Sequence, residues 1–163
     1  MPLKLLRFVA VLLVALASGL AFAHVLEQSA KMAYDAALYI TIQKSLYVQW
    51  GPPNVGGFLE PSAIVATALV AFFNRKSTRS LWLSLSALLS LLLAFPIVFF
   101  WLVAPANADF LAATLPSVPP NFAELRSNWE MGHAIRFGLQ FVALGSLVLS
   151  LVLDASATAG AEA

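Results

Sequence analysis

Cysteine is absent from this chain. Its absence excludes disulfides, iron–sulfur clusters, thiolate zinc sites, covalent haem attachment and thiol nucleophiles, and leaves imidazole, carboxylate, amide and phenol chemistry. Charge is scarce as well: 10% of the 163 residues are Asp, Glu, Lys or Arg, against 61% hydrophobic. A net charge of +1 supplies no basic face for nucleic acid, so none is expected as a partner. Histidine occurs only twice. In a chain this apolar, an ionisable group is costly unless it is paired or functional, so the few that exist carry most of the information.

What the chain has instead is four long apolar runs. They predict an all-α fold, a four-helix transmembrane bundle with additional interfacial or outer helical segments, in a single domain over residues 1–153. The spans fall at about 4–28, 58–74, 80–104 and 133–153, each near the roughly 20 residues that cross a bilayer. The lipid bilayer is thus the first expected partner. The first run also carries Ala21-Phe22-Ala23, a small-x-small cleavage pattern, and cleavage there would leave His24 as an amino terminus suited to copper. Its length exceeds a signal core of about 7–15 residues, which favours retention. The second run is short, and Pro96 predicts a kink in the third. The Ala/Ser/Gly-rich tail, 154–163, is expected to be disordered.

Lys4, Arg7, Arg75, Lys76 and Arg79 gather at one side of the spans, which predicts cytoplasmic termini and an integral protein of a bacterial inner membrane. The loops 27–57 and 105–132 then lie outside. In the first, Gln28 to Trp50 has helical spacing, with Tyr39, Gln43 and Tyr47 in one stripe, and predicts an interfacial helix. In the second, Pro119-Pro120 stops the chain, and Asn121 with Glu124 forms a variant capping box for a helix continuous with the fourth span. Glu60 precedes Pro61 and is expected to flank the amino terminus of the second span, where a carboxylate is stabilised by the helix end.

Both histidines lie three residues from a glutamate: His24-Val25-Leu26-Glu27 and, mirrored, Glu130-Met131-Gly132-His133. On helices each pair shares a face, so two packed helices would bring four proton-transferring or ligating groups together. With Glu60 the set His24, Glu27, Glu60, Glu130 and His133 would be the ligands of any metal, although one motif is reversed and only three glutamates are available. Ordinary i, i+4 ion pairs, Glu27 with Lys31 and Arg126 with Glu130, account for the same charges without chemistry. Trp129, on the stripe of His133 and Arg136, is placed to stack on a flat ligand.

Taken together, Ala23 to Glu27 with Lys31, Tyr39, Gln43, Tyr47 and Gly51, then Glu60-Pro61, Pro105-Ala106-Asn107, and Arg126-Ser127-Asn128-Trp129-Glu130-Met131-Gly132-His133 with Arg136, resemble the anthrone oxygenase-like family of small four-span membrane proteins. The likeness covers nearly the whole chain. It departs at Gln28-Ser29, where a proline is frequent, and this leaves the first helix free to continue. The resemblance implies oxidation of an electron-rich phenolic tricycle by oxygen without a cofactor. It implies catalytic roles for His133, His24, Glu130 and Glu27: an imidazole, with an ordinary pKa of about 6.5, removes the acidic methylene proton, and a glutamate steadies the imidazolium. It places Arg136 and Lys31 on the enolate charge, Asn107 as a hydrogen-bond donor, and Trp129, Tyr39, Tyr47 and Gln43 around a hydrophobic aromatic small molecule. Two other accounts stand beside it: a metal- or haem-binding redox protein, and a non-catalytic membrane partner whose polar residues only knit helices together. Oligomeric state is not legible.

Overall fold

The computed structural model describes residues 2–114 and 117–161, with the side chains of 3–114 and 117–154. Six α-helices follow one another: α1 (Pro2–Met32), α2 (Ala36–Ser45), α3 (Val55–Phe73), α4 (Thr78–Leu92), α5 (Ala104–Ala112) and α6 (Phe122–Ala161). A 3₁₀ turn, Tyr47–Gln49, follows α2, and a π-helical stretch, Leu93–Val103, joins α4 to α5 without a break. Four helical stretches, Leu3–Met32, Val55–Phe73, Thr78–Ala112 and Phe122–Asp154, are long and apolar enough to cross a membrane. The all-α bundle expected from the apolar runs is the fold observed.

Packing follows the apolar and small faces. α1 lies against α3 and α6, α4 against α3 and α6, and the π stretch against α6, while α2 caps one end over α5. Ala10, Val14, Ala63, Ala66, Val70, Ala87, Leu91, Ala143 and Leu147 form a buried seam whose many alanines let the backbones approach closely. Leu5, Leu12, Leu16, Val65, Leu69, Trp82, Leu89, Phe141 and Val152 point outward instead, the inverted pattern of a surface that meets lipid. A second cluster, rich in aromatics, fills the end beneath α2: Tyr39, Tyr47, Phe99, Phe110 and Trp129. At the opposite end Arg7 pairs with Asp154 at 2.6 Å and donates to Asn74, and Ser80 donates to Asp154 at 2.7 Å. One polar knot therefore ties α1, α3, α4 and α6.

Several boundaries differ from the sequence reading, each for a local reason. α1 runs on to Met32, so His24, Glu27 and Lys31 share one continuous helix. The segment Gln28 to Trp50 is not one helix: it breaks at residues 33–35, where Asp35 caps α2 by accepting from the Leu38 N–H at 2.8 Å. Glu60 does not flank the second span, because α3 starts five residues earlier, at Val55, and holds Pro61 inside it. The Gly57 carbonyl gives up its helical partner there, and a glycine tolerates the local adjustment. Pro96 lies in the eleven-residue π stretch, where Ala104 N–H donates to Phe99 O, five residues back. A missing N–H favours that wider register. Its buried residues, Ala94, Phe99 and Val103, step by five and then by four. α6 starts one residue past Asn121, whose carbonyl accepts from Leu125. Residues 155–161 continue α6 where disorder was expected, consistent with their alternating alanines; residues 162–163 lie outside the described residues.

Candidate functional site

The two histidines meet. His24, on α1, and His133, on α6, are both buried, and their ring centroids are 4.0 Å apart with the planes tilted by 46°. Aromatic rings enclose the pair: Trp129 lies 4.8 Å from His24 and 4.2 Å from His133, Tyr47 is 4.7 Å and Trp50 5.2 Å from His24. Gly132 permits the approach of α6 to the π stretch, since a Cβ there would come within 2.7 Å of Val103 Cγ2. Gly56 plays the same part under the 3₁₀ turn, where a Cβ would meet the Trp50 carbonyl at 2.7 Å.

The glutamates do not serve the imidazoles, contrary to the expectation that Glu130 or Glu27 orients a ring. Glu130 accepts from the Tyr39 hydroxyl at 2.9 Å and pairs with Lys31 at 3.2 Å. Glu27 accepts from the Tyr47 hydroxyl and stands 3.9 Å from Lys31. Glu60 pairs with Arg136 and accepts from the Gln140 amide at 3.2 Å. A buried carboxylate needs a buried cation or donor, and helix packing supplies these partners. The expected Arg126–Glu130 pair is replaced: Arg126 donates to the Tyr34 carbonyl at 3.1 Å and lies over the Phe122 ring. The Glu27–Lys31 pair is present but long, and Lys31 spends its charge on Glu130 and on the faces of Trp129, at 4.5 Å, and Tyr47, at 4.9 Å.

Two ring nitrogens decide what the site can do. Arg136 Nη1 lies 3.2 Å from His133 Nδ1. A guanidinium has no acceptor, so Nδ1 accepts and the proton of that ring sits on Nε2. His24 Nδ1 is buried with no hydrogen-bond partner among the described residues. Asn107 accepts from Trp129 Nε1 at 2.7 Å, fixing the indole rather than offering its carbonyl to a ligand. Gln43 lies beside the Tyr39 hydroxyl. Burial, and then Glu130, pushes the Tyr39 phenol up from its usual range; burial and the hydrogen bond to Glu27 do the same to Tyr47.

Between the imidazoles, Trp50, Glu60, Arg136 and Asn107 lies a cavity of about 40 Å³, room for roughly three water molecules. A second, of about 50 Å³, extends toward Gln43 and Phe110 and shares Tyr47, Gly51, Pro52 and Asn107 with the first. The conditional metal set is not brought together: His24 and His133 meet, but Glu27, Glu60 and Glu130 turn to other partners, and among the described residues no three His, Cys, Asp or Glu side chains are grouped for a metal. Trp50, Phe99 and Gln140 belong to the site without having been assigned to it from sequence. Only Gln140 left a signal, a lone amide in an apolar span on the face of His133 and Arg136. No family model matches this chain, and neither a curated protein nor a solved structure matches it.

Proposed function

We propose that this membrane protein oxidises a flat, lipid-soluble phenolic compound with molecular oxygen, using no cofactor. The observation that carries the reading is the Nδ1 of His24, without a hydrogen-bond partner among the described residues and buried beside His133 inside a ring of aromatic side chains. A neutral imidazole nitrogen without a partner is a group that can take up a proton. In the overall step an activated CH₂ becomes C=O: one oxygen atom of O₂ enters the carbonyl and the other leaves with both hydrogens as water. His24 takes the first proton, and the delocalised carbanion passes its electrons to oxygen. Lys31 and Arg136 are the cations beside the developing charge, each held in place by a glutamate. The likeness of the His24–Glu27 and Glu130–His133 elements to anthrone oxygenases supports the same substrate class.

The size of the cavity sets a condition. A space for roughly three waters does not hold a tricycle, so binding requires the wall of Trp50, Gly51 and Pro52 to move outward. Pro52 is exposed and Trp50 half-buried, so that wall is the thin side of the site. The same narrowness favours a second reading, in which the matched Lys31–Glu130 and Arg136–Glu60 pairs only knit the bundle. Oxygen uptake separates the two. Purified protein in detergent, its metal content and absorption spectrum recorded first, should consume oxygen with an anthrone, and His24→Ala should abolish the uptake while retaining the wild-type helical spectrum. No uptake above buffer, or equal uptake by the variant, overturns the oxygenase reading. Uptake that follows a bound metal or a haem band assigns the chemistry to that group. In orientation, the basic end bearing Lys4, Arg7, Arg75, Lys76 and Arg79 supports cytoplasmic termini and residence in a bacterial inner membrane.

A further inference from the structure

Far from the histidines, α1 and α3 line two hollows of a different scale. One, of about 340 Å³, is apolar, open on its outer side and lined by Leu6, Val65, Ala66 and Leu69, of which Val65 and Leu69 are exposed. The other, of about 420 Å³, sits at the helix ends and is lined by Leu3, Arg7, Phe73, Lys76, Ser77 and Asp154. Both fall within the roughly 300–1,000 Å³ of small-molecule sites, unlike the cavity at the imidazoles.

We infer that this seam binds one anionic phospholipid, with its headgroup phosphate at Lys76 and Ser77 beside Arg7, and an acyl chain along the groove of Leu6, Val65 and Leu69. Charge complementarity argues for the anion. Five cations, Lys4, Arg7, Arg75, Lys76 and Arg79, stand at this end, and Asp154 is the acid among the described side chains facing them. Asp154 is occupied by Arg7 at 2.6 Å and by Ser80 at 2.7 Å, while Lys76 and Ser77, whose hydroxyl lies 3.2 Å from that of Ser80, line the hollow from an exposed turn. The Arg7 guanidinium uses Nη1 and Nη2 on Asp154 and Asn74 and leaves Nε buried without a hydrogen-bond partner among the described residues. Shape argues for a lipid over a free anion. The polar hollow and the apolar groove follow the same two helices: Leu3 and Arg7 of α1 line the first and Leu6 the second, and Phe73, at the end of α3, lines the first, one turn beyond Leu69 of the second. A detached phosphate has no use for that groove.

Native mass spectrometry of the full chain, released from nanodiscs of equal phosphatidylglycerol and phosphatidylcholine, tests the assignment. Wild type should retain one phosphatidylglycerol in preference to phosphatidylcholine. Lys76→Glu, an exposed change, should lower that retention at least about fivefold, the weight of a surface cation near an anionic headgroup. Ser62→Trp, an exposed position on the groove, should lower it without altering charge. Arg79→Glu, at the same end but outside both hollows, should have little effect. Equal retention of the two lipids overturns the inference, as does an Arg79→Glu loss matching that of Lys76→Glu, which signals diffuse surface attraction. Displacement of the lipid by 10 mM inorganic phosphate, in a buffer of about 0.1 M ionic strength where exposed charges are screened beyond about 10 Å, overturns the lipid in favour of a simple anion site.

Discussion

Arg136 Nη1 lies 3.2 Å from His133 Nδ1, one helical turn back along α6. Because the guanidinium only donates, this contact makes His133 a neutral ring with its proton on Nε2 and takes its second nitrogen out of use. His24, whose Nδ1 has no such partner among the described residues, is the base in the proposed reaction. The two imidazoles are therefore unequal although their sequence motifs are mirror images.

Substitution should expose that inequality. His24→Ala is expected to lower oxygen uptake with an anthrone by about 10²–10⁴, the usual weight of a general base. His133→Gln, which keeps a hydrogen-bond acceptor for Arg136, should retain more activity than His24→Ala. The oxygen electrode reads both, and a larger loss in His133→Gln would reverse the assignment.

Glu60 and Arg136 form a buried pair between α3 and α6. Removing one partner strands a charge, so Glu60→Ala should destabilise the protein by about 3–5 kcal/mol, whereas replacing both by methionine should restore most of the loss. Thermal unfolding in detergent, followed by circular dichroism, gives the comparison. A double variant as unstable as the single would mean that the pair contributes net attraction of its own.

Two glycines of α6 should behave oppositely. Gly132→Ala places a Cβ 2.7 Å from Val103 Cγ2, and overpacking of that kind costs about 1–3 kcal/mol. Gly138→Ala meets nothing within 4 Å and should be neutral or slightly stabilising, by up to about 1 kcal/mol from helix propensity. Melting temperatures of the two variants suffice to check this.

Tyr39 and Tyr47, in the segment between the first two spans, are held protonated by burial and by Glu130 and Glu27 respectively. Their phenols should add no phenolate absorbance at pH 10, where a free tyrosine is about half ionised. The sign for stability follows: both pKa values are raised on folding, so their contribution is whole below about pH 10 and is lost as pH rises above it. An ultraviolet titration of Tyr39→Phe and Tyr47→Phe against wild type would show unchanged amplitude up to that pH. A drop in either variant would mean that its phenol was already ionising.

The sequence made the helices legible because lipid imposes a simple rule: roughly 20 apolar residues with few charges must be a helix. The first span was placed at about 4–28, with no proline at Gln28-Ser29 to stop it, and α1 runs on to Met32. Glu60 was misplaced because the rule for residues before proline describes local backbone preference, and tertiary packing of α3 overrode it. The pairing of Arg126 with Glu130 was misread for a related reason. An i, i+4 spacing states which groups can meet on one helix, not whether a cation on another helix is nearer, and Lys31 is at 3.2 Å.

By itself, then, the chain determined that there are four apolar helical spans, that one end is basic, and that its two imidazoles and most of its carboxylates fall toward the other. These are one-dimensional properties, set by composition and spacing. Only the tertiary structure decided partners: that the two imidazoles meet each other at 4.0 Å, that Glu60 and Glu130 turn to a cation or phenol instead of a ring, and that His24 Nδ1 has no hydrogen-bond partner among the described residues. Burying a polar group is costly unless some neighbour satisfies it, and which neighbour does so depends on how α1, α3 and α6 pack.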